Sequence, residues 1–153
     1  MNAVIQRLSN TQWNQEFDGY FKSIKQLCNH IYIGDFIWLK RFGLFRDFRF
    51  IKNTLFDQNL TYSSIPFENI DDYIFKREEL DRKLILFVDE ITESDLEKTL
   101  TFKNAKGDIV NKNFGGSLLH VFNHQTHHRG MISIYLDSMK IDNDFSTLLQ
   151  LVS

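Results

Sequence analysis

Apolar residues recur at helical spacing through two long stretches of the chain. In the first, from Phe21 to Phe42, apolar side chains return every three or four residues, and Gly43 follows as a stop. The second begins at Pro66, a residue suited to the first turn of a helix, and continues to about Glu90 under heavy exposed charge. The pattern therefore predicts two long helices, each with one buried face.

The helical rhythm breaks between residues 96 and 114. Leu100 and Phe102 alternate with polar residues, and the segment 104–107 carries residues that favour a turn, which together predict a β-hairpin. The residues 92–95 just before it predict a short helical turn.

A third long helix is predicted after the hairpin. Ser117 is a candidate cap at its start, and the apolar pattern runs through Leu136 or beyond. Residues 142–153 predict a short closing helix. With one proline in the chain, long uninterrupted helices are the natural result.

Composition narrows the class of protein. The 153 residues, 42% of them apolar, predict one domain spanning 1–153. A net charge of −2 with interleaved acids and bases gives no basic stripe, so we expect no nucleic-acid partner. Cys28 is the only cysteine, which excludes an intrachain disulfide and a cysteine-rich metal site. Because no signal peptide or membrane span is evident, we expect a cytoplasmic protein without membrane contact.

Histidines supply the most distinctive chemistry. Four of the five lie within nine residues of the predicted last helix, and the fifth, His30, lies in the first long helix. At about 100° per residue, His124 and His128 share the core side of their helix, whereas His120 and His127 lie nearer its rim. Two imidazoles one turn apart can reach a single ion, and a third from a neighbouring helix completes a set with open positions.

Spacing alone leaves other interpretations open. The histidines could be ordinary rim residues or an anion-binding patch, and for His120 and His127 a supporting or surface role is favoured. Asp35 could orient a ligand or pair with an arginine. Arg41 and Arg129 could bind an anionic substrate, although a solvated or ion-paired helix residue is the commoner role.

Two segments carry a resemblance to a known family. FKSIKQLCNHIYIGDFIWLKRF at residues 21–42 and LLHVFNHQTHHRG at residues 118–130 resemble the signature segments of the DinB-like family of helical metalloproteins. The resemblance implies an all-α four-helix bundle with a small β-hairpin before the last long helix. It also implies that His30, His124 and His128 hold one divalent ion, zinc or nickel.

The sequence departs from the family pattern at two places. Met131 stands where the family usually has glutamine after the HRG motif, and a polar contact near the ion is therefore lost. Only residues 1–8 precede the break at Ser9, so the first helix is expected to be truncated. A second copy of the chain could cover the apolar groove that this leaves, which makes a homodimer the expected assembly.

The resemblance favours a thiol-dependent S-transferase. A low-molecular-weight thiol would be the co-substrate, and a small electrophile would lie against Trp38, Met131 and Tyr135, with Asp35 and His127 supporting the site. No catalytic side chain is assigned. Two alternatives remain: a metal-dependent hydrolase, disfavoured because no HExxH arrangement supplies a general base, and a non-enzymatic metal-binding stress protein.

Overall fold

The computed structural model describes residues 1–146, which are mostly helical. They form six α-helices, one 3₁₀ helix at Thr54–Asp57 and one antiparallel hairpin. Among these residues, no helix combines the length and apolar character that crossing a membrane requires. The elements are α1 (Asn2–Ile5), α2 (Asn10–Asn14), α3 (Ile24–Phe42), α4 (Ile70–Glu90), α5 (Glu93–Leu96), β1 (Thr99–Lys103), β2 (Ile109–Asn113) and α6 (Phe114–Ser138).

The first two long helices begin later than their apolar patterns predicted, because polar caps set their starts. Ser23 Oγ accepts a hydrogen bond from the backbone N–H of Gln26 at 3.2 Å, and α3 begins at Ile24 rather than Phe21. The side chain of Asn69 accepts from the N–H of Asp72 at 2.9 Å and starts α4. The proline at position 66 therefore lies outside the helix that it was predicted to open.

The hairpin prediction is confirmed, and its second strand leads directly into α6. Gly107 has a φ of 89° in the turn, a conformation that glycine adopts without steric cost. Asn113, the last residue of β2, caps α6 by accepting from the N–H of Gly116 at 2.7 Å. The predicted cap at Ser117 is therefore wrong, and this side chain instead donates to the carbonyl of Asn113.

The N-terminal residues form two short helices instead of one long helix. They still contribute to the core, because Ile5 and Trp13 are fully buried. The indole Nε1 of Trp13 donates to the carbonyl of Glu68 at 3.0 Å, which ties α2 to the residues before α4. At the other end, residues 142–146 are not helical, and the rest of the predicted closing helix lies outside the described residues.

Aromatic rings join the three long helices at one end of the core. The Phe42 ring of α3 lies 4.8 Å from the Phe87 ring of α4 and 5.1 Å from the Phe114 ring of α6, measured between centroids. All three side chains are buried. Large rings supply much buried apolar area per residue, so this contact is a strong constraint on helix spacing.

A buried polar network joins the same helices nearer their middle. Asp35 of α3 accepts from the Arg77 guanidinium of α4 at 2.7 Å, and the Gln125 amide of α6 donates to the same carboxylate. The side chains of Asp35 and Arg77 are only 3% and 4% exposed, whereas Asp81, the second partner of the arginine, is 43% exposed. Charges this deeply buried cost free energy unless they are paired.

The pairing predicts a specific loss of stability. Replacing Arg77 by Met keeps most of the side-chain volume but leaves the Asp35 carboxylate buried without its cation, and should lower the free energy of unfolding by about 3 kcal/mol. Urea unfolding at pH 7 measures this. Arg82→Met, on the exposed side of the same helix, is the control and should change the value by less than about 0.5 kcal/mol.

The double variant Asp35→Asn, Arg77→Met removes both charges and should recover part of the loss. An Arg77→Met protein as stable as wild type would show that the pair does not hold the helices together.

Candidate metal centre

Helices α3 and α6 bring three of the five histidines together. His30 Nε2 lies 3.1 Å from His124 Nε2, and His128 Nε2 also lies 3.1 Å from His124 Nε2. The three nitrogens all lie within 4.8 Å of one another, close enough to hold one metal ion. His124 and His128 are one turn apart on α6, and His30 approaches from α3.

Hydrogen bonds among these three nitrogens cannot satisfy all of them. A neutral imidazole Nε2 carries either one hydrogen or one lone pair, so three that converge form at most a partial hydrogen-bond set. One cation can accept a lone pair from each of them, and imidazole suits zinc, nickel, copper and iron. The donor set of His30, His124 and His128 therefore fits a divalent ion.

Close packing forces the rings into this arrangement. A Cβ atom on Gly34 would lie 3.1 Å from His124 Cε1, so the absence of a side chain one turn after His30 makes room for the His124 ring. The Phe21 ring closes another side, with centroids 4.7 Å from the His30 ring and 5.4 Å from the His128 ring. The rings therefore have little freedom to turn away.

Burial also keeps these rings neutral. It lowers the pKa of His30, and it lowers the pKa values of His124 and His128 to about 4, with the neighbouring histidines adding to the effect in the last two. At neutral pH each ring therefore keeps a free lone pair. This is the state that binds a metal, because a protonated imidazole has no lone pair to give.

The hydrogen bonds that would orient the three rings are incomplete. His128 Nδ1 is buried without a hydrogen-bond partner in the described part of the chain. A ligating histidine usually donates its second N–H to a carbonyl or carboxylate, which fixes the ring. No carboxylate joins the metal-binding group found among residues 1–146. Packing against Phe21 takes over part of that orienting role.

The other predicted site residues lie around this centre with different partners. The His127 ring lies 4.9 Å from the His128 ring, and the His120 ring lies between Trp38, at 5.2 Å, and His124, at 6.2 Å. Met131 is half-buried against the core.

Tyr135 and Asp35 make structural contacts. The Tyr135 hydroxyl donates to the carbonyl of Phe21 at 2.6 Å, and its ring stacks on that of Phe17 at 4.1 Å, so it holds the segment before α3 in place. Asp35 forms an ion pair with Arg77, which was one of its two predicted roles, and it also accepts a hydrogen bond from Gln125.

Three residues of the site were not singled out from the sequence. Gln125 lies next to a ligand candidate, but its partner is across the interface on α3. Phe21 reads as an ordinary apolar position. Gly34 offers the one usable signal, because a small residue four positions after His30 lies on the same helix face and allows another element to approach closely.

Comparison with known proteins agrees with this geometry. The sequence model of the DinB family matches residues 1–139. Protein DinB of Bacillus subtilis (strain 168) is 27% identical over 134 residues, which cover 86% of this chain and 73% of that protein. No solved structure matches the chain.

The lowered pKa values predict that the metal-free protein loses stability in acid. Below about pH 6.5 the histidines of the unfolded chain take up protons, whereas His124 and His128 in the folded chain stay neutral to about pH 4. The unfolded state therefore binds more protons across this window, and the free energy of unfolding should fall as the pH falls through it.

Urea unfolding in the presence of a chelator, at several values between pH 7 and pH 4.5, measures this effect. His124→Gln removes one titrating ring and relieves the other two, so its stability should depend less steeply on pH. Identical pH profiles for the variant and the wild type would contradict the interpretation.

Proposed function

Because this chain belongs to the DinB family and brings three neutral histidines within reach of one ion, we propose that it is a metal-dependent thiol S-transferase. His30, His124 and His128 would hold one divalent ion, zinc or nickel. The observation that carries the proposal is the convergence of three Nε2 atoms, because a site with three protein ligands leaves a coordination position of the ion for a further ligand.

The chain's own residues prepare the site for a thiol. A divalent ion bound there would lower the pKa of a coordinated thiol, so that the thiolate is available near neutral pH. Packing from Phe21 and Gly34 holds the three rings toward one point, and burial keeps them neutral. Ligand geometry fixed before binding costs no reorganisation when substrate arrives.

The nucleophile has to come from a co-substrate. Cys28 is the only thiol of the chain, and it is fully buried against Tyr73, where burial raises its pKa to about 12. A thiol in that state is protonated at neutral pH and inert. A small external thiol is therefore the source of sulfur in this proposal.

An apolar cavity beside the histidines would hold the electrophile. It has a volume of about 500 Å³, and its lining includes Trp38, Phe102 and His120. None of the three converging histidines lines this cavity, but His120 does, and its ring centroid lies 6.2 Å from that of His124 one turn later on α6. This placement supports Trp38 as a pocket wall.

Hydrolysis is the weaker enzymatic alternative. It needs a general base near the ion, and the buried carboxylate of α3, Asp35, is engaged by Arg77 and Gln125. The remaining alternative is a metal-binding protein without catalysis.

We also propose that the long helices belong to a four-helix bundle. Residues 1–3 line a cavity together with Leu84 of α4 and Phe122 of α6, which supports the view that the N-terminal residues replace part of a fourth bundle helix. On α6, Leu119 and Phe122 are 70% and 42% exposed and lie on one face. Burial of that face in a cytoplasmic homodimer is the assembly that we propose, and sedimentation equilibrium would test it.

Metal binding is the first prediction of this proposal. Protein purified without a histidine tag should carry about one equivalent of zinc or nickel, measured by elemental analysis. His124→Ala and His128→Ala should each weaken the affinity by about a hundredfold or more, in a competition assay with a chromogenic chelator. His120→Ala, on the same helix, is the matched control and should keep most of the affinity.

A His120→Ala variant that loses as much affinity as His124→Ala would mean that a different set of histidines binds the ion. Protein that takes up no zinc, nickel or manganese would remove the basis of the proposal.

Thiol transfer is the second prediction. Glutathione, bacillithiol, mycothiol and coenzyme A would each be tested with monochlorobimane, whose carbon–chlorine bond breaks as the carbon–sulfur bond forms and chloride leaves. Turnover with one of the thiols should disappear on treatment with a chelator and in His124→Ala. Metal binding without turnover for any of them would favour the non-catalytic alternative.

A further inference from the structure

A second and larger cavity lies beside the hairpin, and His120 does not line it. It has a volume of about 900 Å³ and is formed by three residues of α3, by Leu44 just after that helix, by loop residues 60–63 and by hairpin residues 101–105 with Ile109. We call it the hairpin pocket. Phe102 lines both this pocket and the smaller apolar cavity, whereas none of the three converging histidines lines it.

The charge of the hairpin pocket is one-sided. Lys40, Arg41 and Lys103 line it, and no aspartate or glutamate does. This departs from the chain as a whole, where 20 acidic residues exceed 18 basic ones. In the part of the chain that the structure describes, neither Arg41 nor Lys103 forms an ion pair. A concave surface with cations alone attracts anions.

Arg41 is held in place although it has no acidic partner. Its guanidinium carbon lies 4.7 Å from the centre of the Trp38 ring and 4.6 Å from that of the Phe102 ring. One of its five N–H donors reaches the Tyr62 hydroxyl at 3.4 Å. Contact with two aromatic rings restricts the guanidinium, and its remaining donors suit the paired oxygens of an anionic group.

The rest of the pocket suits an apolar body. Leu60 and Ile37 are half-buried in its wall, and Leu44 and Ile109 are 67% and 71% exposed at its edge. Exposed aliphatic side chains around a concave surface are typical of a binding site for a ligand with an apolar part.

We propose that the hairpin pocket binds an organic anion. Its carboxylate, sulfonate or phosphate group would accept from Arg41 with Lys103 nearby, and its aromatic or aliphatic body would pack against Leu60 and Ile109. The site does not require the candidate metal centre, because the two share no lining residue.

Two probes of the same shape test this proposal. 8-Anilinonaphthalene-1-sulfonate carries a sulfonate on an aromatic body, and N-phenyl-1-naphthylamine is the same body without the charge. Fluorescence titration should show that Arg41→Gln weakens binding of the sulfonate about tenfold and binding of the neutral probe less than about twofold. Lys103→Gln changes an exposed strand position and should weaken binding of the sulfonate by a smaller factor, with no effect on the neutral probe. It provides a second test if Arg41→Gln does not fold.

Two control variants separate this result from the other features of the protein. Arg82→Gln removes an exposed cation from α4 and should change neither affinity, and His124→Ala should bind the sulfonate as the wild type does. Nuclear magnetic resonance should locate the sulfonate through shifts of the amides at 61–63 and 103–105, which line the pocket.

An unchanged sulfonate affinity in both Arg41→Gln and Lys103→Gln would overturn the proposal. Equal weakening of both probes by Arg41→Gln would also overturn it, because it would mean that only an apolar surface binds them. A loss in Arg82→Gln as large as that in Arg41→Gln would do the same, since it would show attraction by net charge alone.

Discussion

The buried contact of Asp35 with Arg77 and Gln125 is the constraint on which the rest of the structure depends. Each partner comes from a different long helix, so the contact sets the rotation of α3, α4 and α6 relative to one another. Burial raises the pKa of Asp35, and the Arg77 guanidinium opposes that rise. Because unpaired buried charges are so unfavourable, the helices have few alternative arrangements.

That rotation decides what the neighbouring residues can do. Gln125 faces α3 through Asp35, and the adjacent His124 consequently faces α3 at His30. A turn of α6 by the angle between successive residues, about 100°, would point its histidines away from His30. The polar network and the three converging histidines are therefore two results of one helix orientation. The absence of a side chain at Gly34 leaves room for the His124 ring between the two helices.

The hairpin extends this surface beyond the helices. Phe102 of β1 lies 5.5 Å from Trp38 between ring centroids, and the same strand brings Lys103 to the larger pocket. An all-helical arrangement would leave Trp38 and Arg41 on an open helix face. With the hairpin beside them, Trp38 lines the apolar cavity that contains His120, Arg41 lines the cationic pocket, and Phe102 lines both. The two proposed ligand sites thus share one aromatic wall.

By itself the sequence determined the features that depend on residues only a few positions apart in the chain. Periodic apolar residues predicted the long helices, turn residues between alternating strands predicted the hairpin, and one helical turn between His124 and His128 placed both on one face. His30, the one histidine on the other long helix, was the candidate for the third ligand, and the resemblance favoured the same three residues.

Local polar caps set the helix starts, whereas tertiary structure decided the rest, including the 3₁₀ helix, the role of Tyr135 and the partners of Asp35. The reason is physical. Spacing along a helix reports which side chains share a face, whereas the partner across an interface depends on how two helices rotate and how closely they approach. Both of those depend on contacts made by residues far apart in the chain.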